Sequence, residues 1–433
     1  MLSRLLFFKP PKAKASCIRN YAHGLNLGLH ASSQLRPRHL VPQFRRTLTS
    51  ITSNNILKPP PAGLQSKARP PTTVSWRRRS ATASTRPLYA SRAFASRGQP
   101  PFPPSIRTAD LTTIDLLLLQ ADDQAEMRKL HHAASTQGFL YLKHHDIDPS
   151  FLFDLASGLF SLPVSEKMKY DMGRSGHYFG YKPRGSQYID ANGTPDKQEY
   201  FNLSKDEILG EAKGAKDQPH ALRSQWDNLE TFTRQSHETA LTLLGALSAG
   251  LKIDPSLLLS RHQLERPSGD HTRVTWTPPG IDDNAITFGG HTDFGSITLL
   301  FNQLGGLQII NPEDEEWMYV EPRPECAIVN FGDSIVKLLG GRVHSGMHRV
   351  VRAPGDQSRL PRVSVAYFMR PNGDVQLKSI MPDDRSSTQA KAMTADEWIL
   401  HRAVHRNTMN YKGRDSFILS KGTEHRDLEE NNS

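Results

Sequence analysis

The segment GGHTDFGSITLLF, residues 289–301, decides the fold because it joins two candidate metal ligands to an apolar run that is typical of a β-strand. His291 and Asp293 are two residues apart, and in an extended strand such side chains point to the same face. A third candidate, His348, follows in the segment GMHRV, residues 346–350, far enough along for several strands to return it beside the first pair. Two histidines and one carboxylate on one face of an octahedron are the ligand set of non-haem Fe(II) sites. We therefore predict a metal site at these three residues.

Short β-rich runs separated by glycine and proline surround this segment, from His271 onward. They cover residues 273–277, 297–301, 307–310, 327–330, 348–352 and 362–368. Short strands at such spacing favour a jelly-roll barrel with cupin-like architecture over a parallel α/β sheet. In the last run Arg362, Ser364, Ala366 and Phe368 alternate with other residues and share one face. A guanidinium fork and a hydroxyl two residues apart form a compact clamp for a carboxylate.

Helical patterns precede the β-rich part. They predict a helix over 124–137 that Gly138 closes, and a second helix that Asp148 caps, with Pro149 at its first position. A third helix is predicted to start within 162–167 and a fourth to span 225–251. A strand is predicted at 139–142 and a long loop at 173–185. The helix at 225–251 is the longest and is expected to buttress a sheet. The predicted fold class is therefore α+β: a double-stranded β-helix, or jelly-roll, barrel buttressed by helices, with a disordered N-terminal leader.

The leader differs sharply in charge from the rest of the chain. Residues 1–98 contain 18 of the 54 lysines and arginines and none of the 44 acidic residues, so the remainder carries 36 basic and 44 acidic side chains. Low hydrophobicity and unopposed charge predict disorder. The acid-free, basic start resembles a mitochondrial transit peptide, although Pro10 and Pro11 shorten any helix there. The alternative is a dispensable tail or an upstream start codon that the cell does not use.

This change in composition also suggests the domain organisation. We expect a leader at 1–98, an N-terminal region at 99–215, a catalytic jelly-roll region at 216–415 and a polar tail at 416–433. With the leader set aside, no basic surface mixed with aromatic side chains points to nucleic acid. No run approaches the ~18 apolar residues of a membrane helix, which argues against membrane insertion. Only Cys17 and Cys326 are present, which fits a soluble intracellular protein, mitochondrial or otherwise cytoplasmic, that we expect to be a monomer.

Taken together, the motifs resemble those of the iron- and 2-oxoglutarate-dependent oxygenases of the isopenicillin N synthase type. The resemblance is carried by the His291-x-Asp293 pair, by His348, and by the Arg362-x-Ser364 pair. It covers nearly all of residues 100–410 and includes the segments GFL at 138–140, LPVSEK at 162–167 and NFGD at 330–333. Each motif is short, but their order and the 55-residue gap from Asp293 to His348 make the combination specific.

The resemblance implies roles for these residues. His291, Asp293 and His348 would hold Fe(II), while Arg362 and Ser364 would bind the distal carboxylate of the cosubstrate 2-oxoglutarate. With O₂ as oxidant, such an enzyme hydroxylates or desaturates a small organic metabolite and releases succinate and CO₂. The adjacent His344 competes with His348 for the third position, and the family motif His-Arg-Val favours His348.

The chain departs from the family where a strand usually carries Asn and Tyr before two prolines. Here Thr275 and Thr277 stand before Pro278 and Pro279. Their shorter hydroxyls reach less far, so we hypothesise that Thr277 contacts the keto acid directly or through a water. Thr277→Val should then raise the Michaelis constant for 2-oxoglutarate.

The substrate is expected to be a small hydrophobic molecule of secondary metabolism. The loop at 173–188 and a helix around 394–403, with a capping-box start, are expected to cover the barrel mouth. Phe368, Tyr181 and Phe294 are the candidate substrate residues, beside a loop that also offers Tyr178 and Tyr188.

Two other functions fit the same residues. One is an Fe(II) oxidase that takes all its electrons from substrate, as isopenicillin N synthase does, with Arg362 and Ser364 on a substrate carboxylate. The other is a non-catalytic ligand-binding barrel. Release of succinate would distinguish the preferred function from the Fe(II) oxidase, which forms none. Binding of Fe(II) would distinguish it from the non-catalytic barrel.

Overall fold

The protein contains an eight-stranded and a four-stranded β-sheet. Its structure, a computed structural model, describes residues 98–172, 178–210, 218–280, 285–384 and 392–420. The strands of the larger sheet, in spatial order, are β1 Thr113–Asp115, β2 Phe139–Lys143, β10 Cys326–Phe331, β7 Ile297–Asn302, β12 Arg362–Met369, β5 His271–Thr277, β4 Glu199–Ser204 and β3 Gly180–Lys182. Those of the smaller sheet are β6 Ile286–His291, β11 His348–Val351, β8 Leu307–Ile310 and β9 Trp317–Tyr319. This is the predicted jelly roll.

Neighbouring strands of both sheets run antiparallel, except for the parallel pair β1 and β2. The expected boundary at residue 215 falls within 211–217, outside the described residues. Strands from both sides of it share the larger sheet, since β4 pairs with β5 and β2 pairs with β10. The N-terminal region therefore completes the barrel sheet rather than folding apart from it.

Helices flank the two sheets, and several of them pack on the outer face of the larger sheet. Their bounds are α1 Leu116–Gln120, α2 Gln124–Thr136, α3 Ser150–Phe160, α4 Val164–Lys167, α5 Lys205–Ile208, α6 His220–Arg223, α7 Trp226–Gly250, α8 Ser256–Leu259, α9 Asp333–Leu338, α10 Ala395–Arg406 and α11 Arg414–Ser420. The longest, α7, buries Leu229, Phe232, Leu243, Leu244 and Leu247. These side chains join the outward-facing residues of the sheet in one hydrophobic core, which leaves the inner face free to carry polar groups.

The predicted elements agree with this fold, with differences at their ends. The helix α3 begins at Ser150, one residue after the predicted start at Pro149, because the Asp148 carboxylate accepts a hydrogen bond from the Ser150 amide. Gly138 ends the turn after α2 with a φ of +68°, as its position predicted. The strands β1, β4, β6 and β9 were not predicted, and the short strand β3 lies in a segment predicted to be a loop.

Several expectations concern residues that the structure does not describe. The predicted disorder of the leader lies outside the described residues, apart from Gly98, and so does part of the loop at 173–185. The helix α11 includes the first residues of the expected polar tail. Among the described residues, no helix is both long and apolar enough to span a membrane.

Candidate metal centre

The three predicted metal ligands meet between the two sheets. His291 is the last residue of β6 and His348 is the first of β11, and the two are directly paired across these antiparallel strands. Asp293 does not lie in the strand, contrary to the prediction: β6 ends at His291, and the turn that follows brings the carboxylate back beside both imidazoles. One ligand atom from each residue lies within 4.8 Å of the others, and all three side chains are buried. The second ligand is therefore positioned by the segment after the strand and not by the strand itself.

Each histidine is oriented by a backbone carbonyl two residues before it. His291 Nδ1 lies 2.9 Å from the Gly289 carbonyl oxygen, and His348 Nδ1 lies 3.1 Å from that of Gly346. A carbonyl can only accept, so each Nδ1 carries the proton and each Nε2 keeps its lone pair. The two Nε2 atoms lie 3.8 Å and 3.9 Å from Asp293 Oδ1. Both imidazoles thus present a free lone pair toward the carboxylate.

The Asp293 carboxylate is held through its other oxygen. Thr298 donates a hydrogen bond to Asp293 Oδ2 at 2.7 Å, and the Asn330 amide nitrogen donates to the same atom at 2.7 Å. Thr298 and Asn330 are neighbours in register across β7 and β10 on the inner face. Oδ1 is left to face the histidines. Such supporting hydrogen bonds fix ligand orientation in metal sites.

The turn at 330–334 fixes the segment that carries Asp293. The Asp333 amide donates to the Asp293 carbonyl at 2.8 Å, and the Ser334 hydroxyl donates to the Phe294 carbonyl at 2.6 Å. A Cβ on Gly332 would lie 2.5 Å from the Gly295 carbonyl oxygen, so only glycine allows this approach. The NFGD motif therefore supports the second ligand, which is far from it in sequence.

The protonation states suit a divalent cation. Burial would raise the pKa of Asp293, but His348 and the hydrogen bonds from Asn330 and Thr298 outweigh it and lower that pKa. Burial, followed by the charges of Arg406 and His348, holds the pKa of His291 well below its usual range. An ionised carboxylate and a neutral imidazole are the forms that ligate metal. Two imidazoles and one carboxylate therefore fit Fe(II), with coordination positions left for other ligands.

The predicted carboxylate clamp lies on the same inner face. Arg362 and Ser364 of β12 pair directly with Thr277 and Thr275 of β5, so all four side chains project from one face of the sheet. Arg362 Nη1 lies 3.5 Å from Ser364 Oγ, and Arg362 Nε donates to the Gly305 carbonyl at 2.7 Å. The Thr277 hydroxyl is buried and has no hydrogen-bond partner among the described residues. The Arg362 guanidinium therefore shares one face of the sheet with three hydroxyl groups, and the hydroxyl of Thr277 is free to donate to a ligand.

Arg362 is a buried cation without a counter-ion in the described part of the chain. Its side chain is only 4% exposed, and burial alone lowers its pKa to about 10. Gly306, at φ +112°, makes room for it, since a Cβ there would lie 3.1 Å from Arg362 Nε. An enclosed guanidinium with spare donors fits the distal carboxylate of a dicarboxylate such as 2-oxoglutarate.

Two of the three candidate substrate residues lie near the metal ligands. Phe368 stacks on His271 with ring centroids 4.5 Å apart and faces inward beside Thr298. Phe294 is buried next to Asp293 in sequence, and its ring lies 4.5 Å from the Arg402 guanidinium carbon. Both positions border the inner space of the barrel.

Tyr181 lies elsewhere, and we correct that assignment. It pairs with Phe201 on the helix-covered face of the larger sheet, and its hydroxyl donates to the buried Glu199 carboxylate at 2.5 Å. Tyr188 is likewise buried, with its hydroxyl donating to the Ser416 carbonyl at 2.7 Å. Alternation could not predict this, because β3 was not recognised as a strand.

Three inward-facing arginines near the site were not predicted from the sequence. Arg273 projects from β5 on the face of Thr275 and Thr277. Arg402 and Arg406 lie on α10, on the stripe that also buries Ala395 and Ile399. Spacing along the sequence could have indicated this, because Arg402 and Arg406 follow Ala395 by 7 and 11 residues and so lie on the same face of the helix.

Two family models match the chain. Residues 111–228 match the N-terminal region of the non-haem dioxygenase in morphine synthesis, and residues 260–371 match the 2OG-Fe(II) oxygenase superfamily. The second match spans all three candidate ligands and the clamp.

Curated relatives and solved structures agree with these models. The chain is 30% identical over 338 residues to a 2-oxoglutarate-dependent dioxygenase of Aspergillus fumigatus, covering 70% of this chain and 87% of that protein. It is 31% identical over 285 residues to another, from a Dothideomycetidae species, covering 64% and 86%. The structure is similar to that of a full-length Neurospora crassa protein in complex with alpha-KG, with a TM-score of 0.59, 23% identity and coverage of 67% and 95%. It also resembles JOX2 in complex with 2OG, Fe and JA, with a TM-score of 0.57, 23% identity and coverage of 74% and 92%.

Proposed function

The chain belongs to the 2-oxoglutarate- and Fe(II)-dependent oxygenases, and we propose that it uses His291, Asp293 and His348 to bind the iron. It is a non-haem iron dioxygenase that oxidises a small metabolite. The observation that carries the residue assignment is the buried triad, with one ligand atom from each residue within 4.8 Å of the others and both imidazole Nε2 atoms facing Asp293 Oδ1. When bound, the iron and 2-oxoglutarate supply the activation of O₂.

We further propose that Arg362, Ser364 and Thr277 bind the distal carboxylate of 2-oxoglutarate. Support comes from their pairing on one face and from the absence of a counter-ion for Arg362 among the described residues. Thr275 lies opposite Ser364 and adds a second hydroxyl to this wall. A dicarboxylate held at one end by Arg362 has its other end directed into the barrel, toward the proposed metal ligands.

The chain's residues hold the reaction in place and exclude water. Asn330 and Thr298 keep Asp293 ionised and oriented, and the Gly289 and Gly346 carbonyls keep each histidine in the ligating tautomer. Phe368 and Phe294 provide apolar surface beside the site. We propose hydroxylation or desaturation at a substrate carbon that lies against these rings.

The second candidate function is an Fe(II) oxidase that does not use 2-oxoglutarate. The threonines at 275 and 277 favour it, because they replace the longer side chains that usually accompany the keto acid. In that case Arg362 and Ser364 would bind a carboxylate of the substrate itself.

An anaerobic optical titration tests the assignment. The full chain is titrated with Fe(II) and then with 2-oxoglutarate, and the visible charge-transfer band of the iron and keto acid is recorded. We expect a band that is absent from His348→Ala and weakened in Arg362→Gln. The exposed Arg266, which pairs with Asp374 at the surface, provides the matched control Arg266→Gln.

The outcomes separate the candidates. Iron binding without a band, and no succinate on exposure to O₂, would favour the oxidase. Failure to bind iron would contradict the assigned ligands and revive a non-catalytic barrel.

Two further proposals concern the whole protein. The basic, acid-free composition of residues 1–98 supports a role as a mitochondrial transit peptide, which cell fractionation of a tagged full chain would test. We also propose that the chain acts as a monomer, which light scattering during gel filtration would test.

A further inference from the structure

Several guanidinium groups surround the ring of Phe294, the residue after the second proposed metal ligand. The guanidinium carbons of Arg402, Arg370 and Arg406 lie 4.5, 5.9 and 6.0 Å from its centroid. All three arginines are at most 8% exposed. Buried positive charges at such density are costly unless anions neutralise them.

One of these arginines has an acidic partner. Arg402 forms an ion pair with Asp333, and it also donates to the Thr292 and Ser420 carbonyls. Arg402 therefore anchors α10 to the turn that holds Asp293. Its role is structural.

Arg406, one helical turn further on, has no such partner. The structure shows no hydrogen bond or ion pair from its guanidinium to another described residue; the group lies over the Phe288 ring, 4.5 Å from its centroid, and 6.0 Å from the centroid of Phe294. The Phe288 ring in turn lies 4.8 Å from that of His291. A single ring therefore separates Arg406 from a proposed metal ligand.

Arg273 approaches the same space from β5. Its Nε donates to Asn202 at 2.8 Å and its Nη2 to the Tyr178 hydroxyl at 2.7 Å, both of which are neutral partners. Its plane lies between the rings of Tyr200 and Phe368, at 4.1 and 4.7 Å. Two aromatic rings and two hydrogen bonds therefore hold the Arg273 guanidinium in place.

The positive charges of these arginines affect the pKa of Tyr178. Burial would raise the pKa of this phenol, yet the charges of Arg273 and Arg370, a hydrogen bond from Arg370 and the charge of Arg406 outweigh burial and lower it. Arg370 stacks on the Tyr178 ring at 4.6 Å, and its Nε and Nη1 have no partner among the described residues. The charge of Asp396 also reaches Arg370, but the two do not form an ion pair. Positive charge is thus in excess here.

The cosubstrate does not supply the missing anion. Fe(II) and Arg362 together carry three positive charges, and Asp293 and a 2-oxoglutarate dianion carry three negative ones. The proposed catalytic set is therefore neutral by itself. Arg406 and Arg273 still need a counter-charge.

We propose that Arg406 and Arg273 bind a carboxylate on the primary substrate, so that the enzyme acts on an organic acid whose apolar body lies against Phe294 and Phe368. This inference rests on the proposed function, since it places the acid beside the metal. Both arginines approach Phe294: Arg406 lies 6.0 Å from its ring, and Arg273 donates to Tyr178, whose ring centroid lies 6.5 Å from that of Phe294. Two guanidinium groups can together bind the two oxygens of one carboxylate. The acid group is the anchor, and the carbon to be oxidised lies on the apolar part.

Binding of matched acids and amides tests the proposal. The full chain, loaded with Mn(II) as a redox-inert substitute and with 2-oxoglutarate, is titrated calorimetrically with aromatic, alicyclic and straight-chain carboxylic acids and their primary amides, for example phenylacetate and phenylacetamide. The best acids should bind on the order of tenfold to a hundredfold more tightly than their amides. Arg406→Gln and Arg273→Gln should bring that ratio close to one, and Arg266→Gln should leave it unchanged.

A stability comparison on one helix adds a measurement that needs no ligand. Arg402 and Arg406 are both buried arginines of α10, but within the described part of the chain only Arg402 has an acidic partner. Arg402→Leu should lower the melting temperature because it removes the buried ion pair with Asp333. Arg406→Leu should raise it or leave it unchanged, because it removes an uncompensated charge. A fall as large as that of Arg402→Leu would assign Arg406 a structural role and overturn the proposal.

The remaining outcomes are equally decisive. If no acid in the panel binds better than its amide, or if Arg406→Gln keeps the full preference, the proposal is wrong. Acids that lose binding in Arg362→Gln but not in Arg406→Gln would belong to the cosubstrate clamp. A charge-transfer band without acid preference would leave the proposed function intact and refute only this inference. Acid preference without a band would support the acid site and contradict the proposed binding of 2-oxoglutarate.

Discussion

Thr277→Val should change cosubstrate affinity and stability in opposite directions. In β5, Thr277 lies directly opposite Arg362, and its buried hydroxyl has no partner among the described residues. Valine has nearly the same shape and suits a strand. The substitution therefore removes an unsatisfied polar atom from the ligand-free protein and a donor from the proposed 2-oxoglutarate site.

The expected magnitudes follow from the two roles of the hydroxyl. A hydrogen bond to a bound carboxylate, direct or through a water, contributes about 1–2 kcal/mol, so the Michaelis constant for 2-oxoglutarate should rise about fivefold to thirtyfold. Removing a buried hydroxyl without a partner should increase the free energy of unfolding by about 1 kcal/mol, or roughly 2 °C in melting temperature.

The same strand provides the control. Thr272 is also buried with an unpartnered hydroxyl, but it faces the helix-covered core, opposite Tyr367 and Leu203. Thr272→Val should stabilise the protein to a similar extent without changing the constant for 2-oxoglutarate. Succinate release and thermal denaturation measure the two effects. A constant within about twofold of wild type in Thr277→Val would refute the placement of Thr277 at the cosubstrate.

Three other predictions follow from the same geometry. Asn330→Ala should weaken Fe(II) binding about tenfold to a hundredfold in an anaerobic titration, because Asp293 loses one of the donors that orient it; unchanged affinity would mean that Thr298 suffices. His348→Ala should abolish metal binding while His344→Ala retains it, and the reverse result would exchange the two assignments. Burial lowers the pKa of His262 to about 4, so the unfolded chain binds more protons between about pH 4 and 6.5, and stability should fall by up to ~3 kcal/mol as the pH is lowered through that window. His262→Gln should flatten this part of the unfolding profile measured by urea denaturation, and an unchanged slope would show that other groups cause it.

Local patterns predicted much of the fold. Alternation in 362–368 placed Arg362, Ser364 and Phe368 on one face, as the register of β12 confirms. The capping-box spacing at Thr394 and Glu397 predicted the start of α10, and both reciprocal hydrogen bonds are present. These predictions succeed because a helix or strand fixes side-chain direction through its own repeat.

Contacts between distant segments decided the rest. Asp293 reaches the histidines through a turn fixed by Asn330 and Asp333, and no local pattern near residue 293 encodes that turn. Tyr181 faces the core because β3 pairs with β4, a partner that its own three-residue strand does not specify.

The sequence by itself determined the types of ligand, their order and the face of the clamp, since these depend on residue identity and on short repeats. Only the tertiary structure decided that Arg402 has a carboxylate partner while Arg406, four residues later on the same stripe, has none in the segments that the structure describes. The two arginines look equivalent along the helix. Which of them is neutralised depends on where Asp333 arrives from another part of the chain, and charge compensation acts through space.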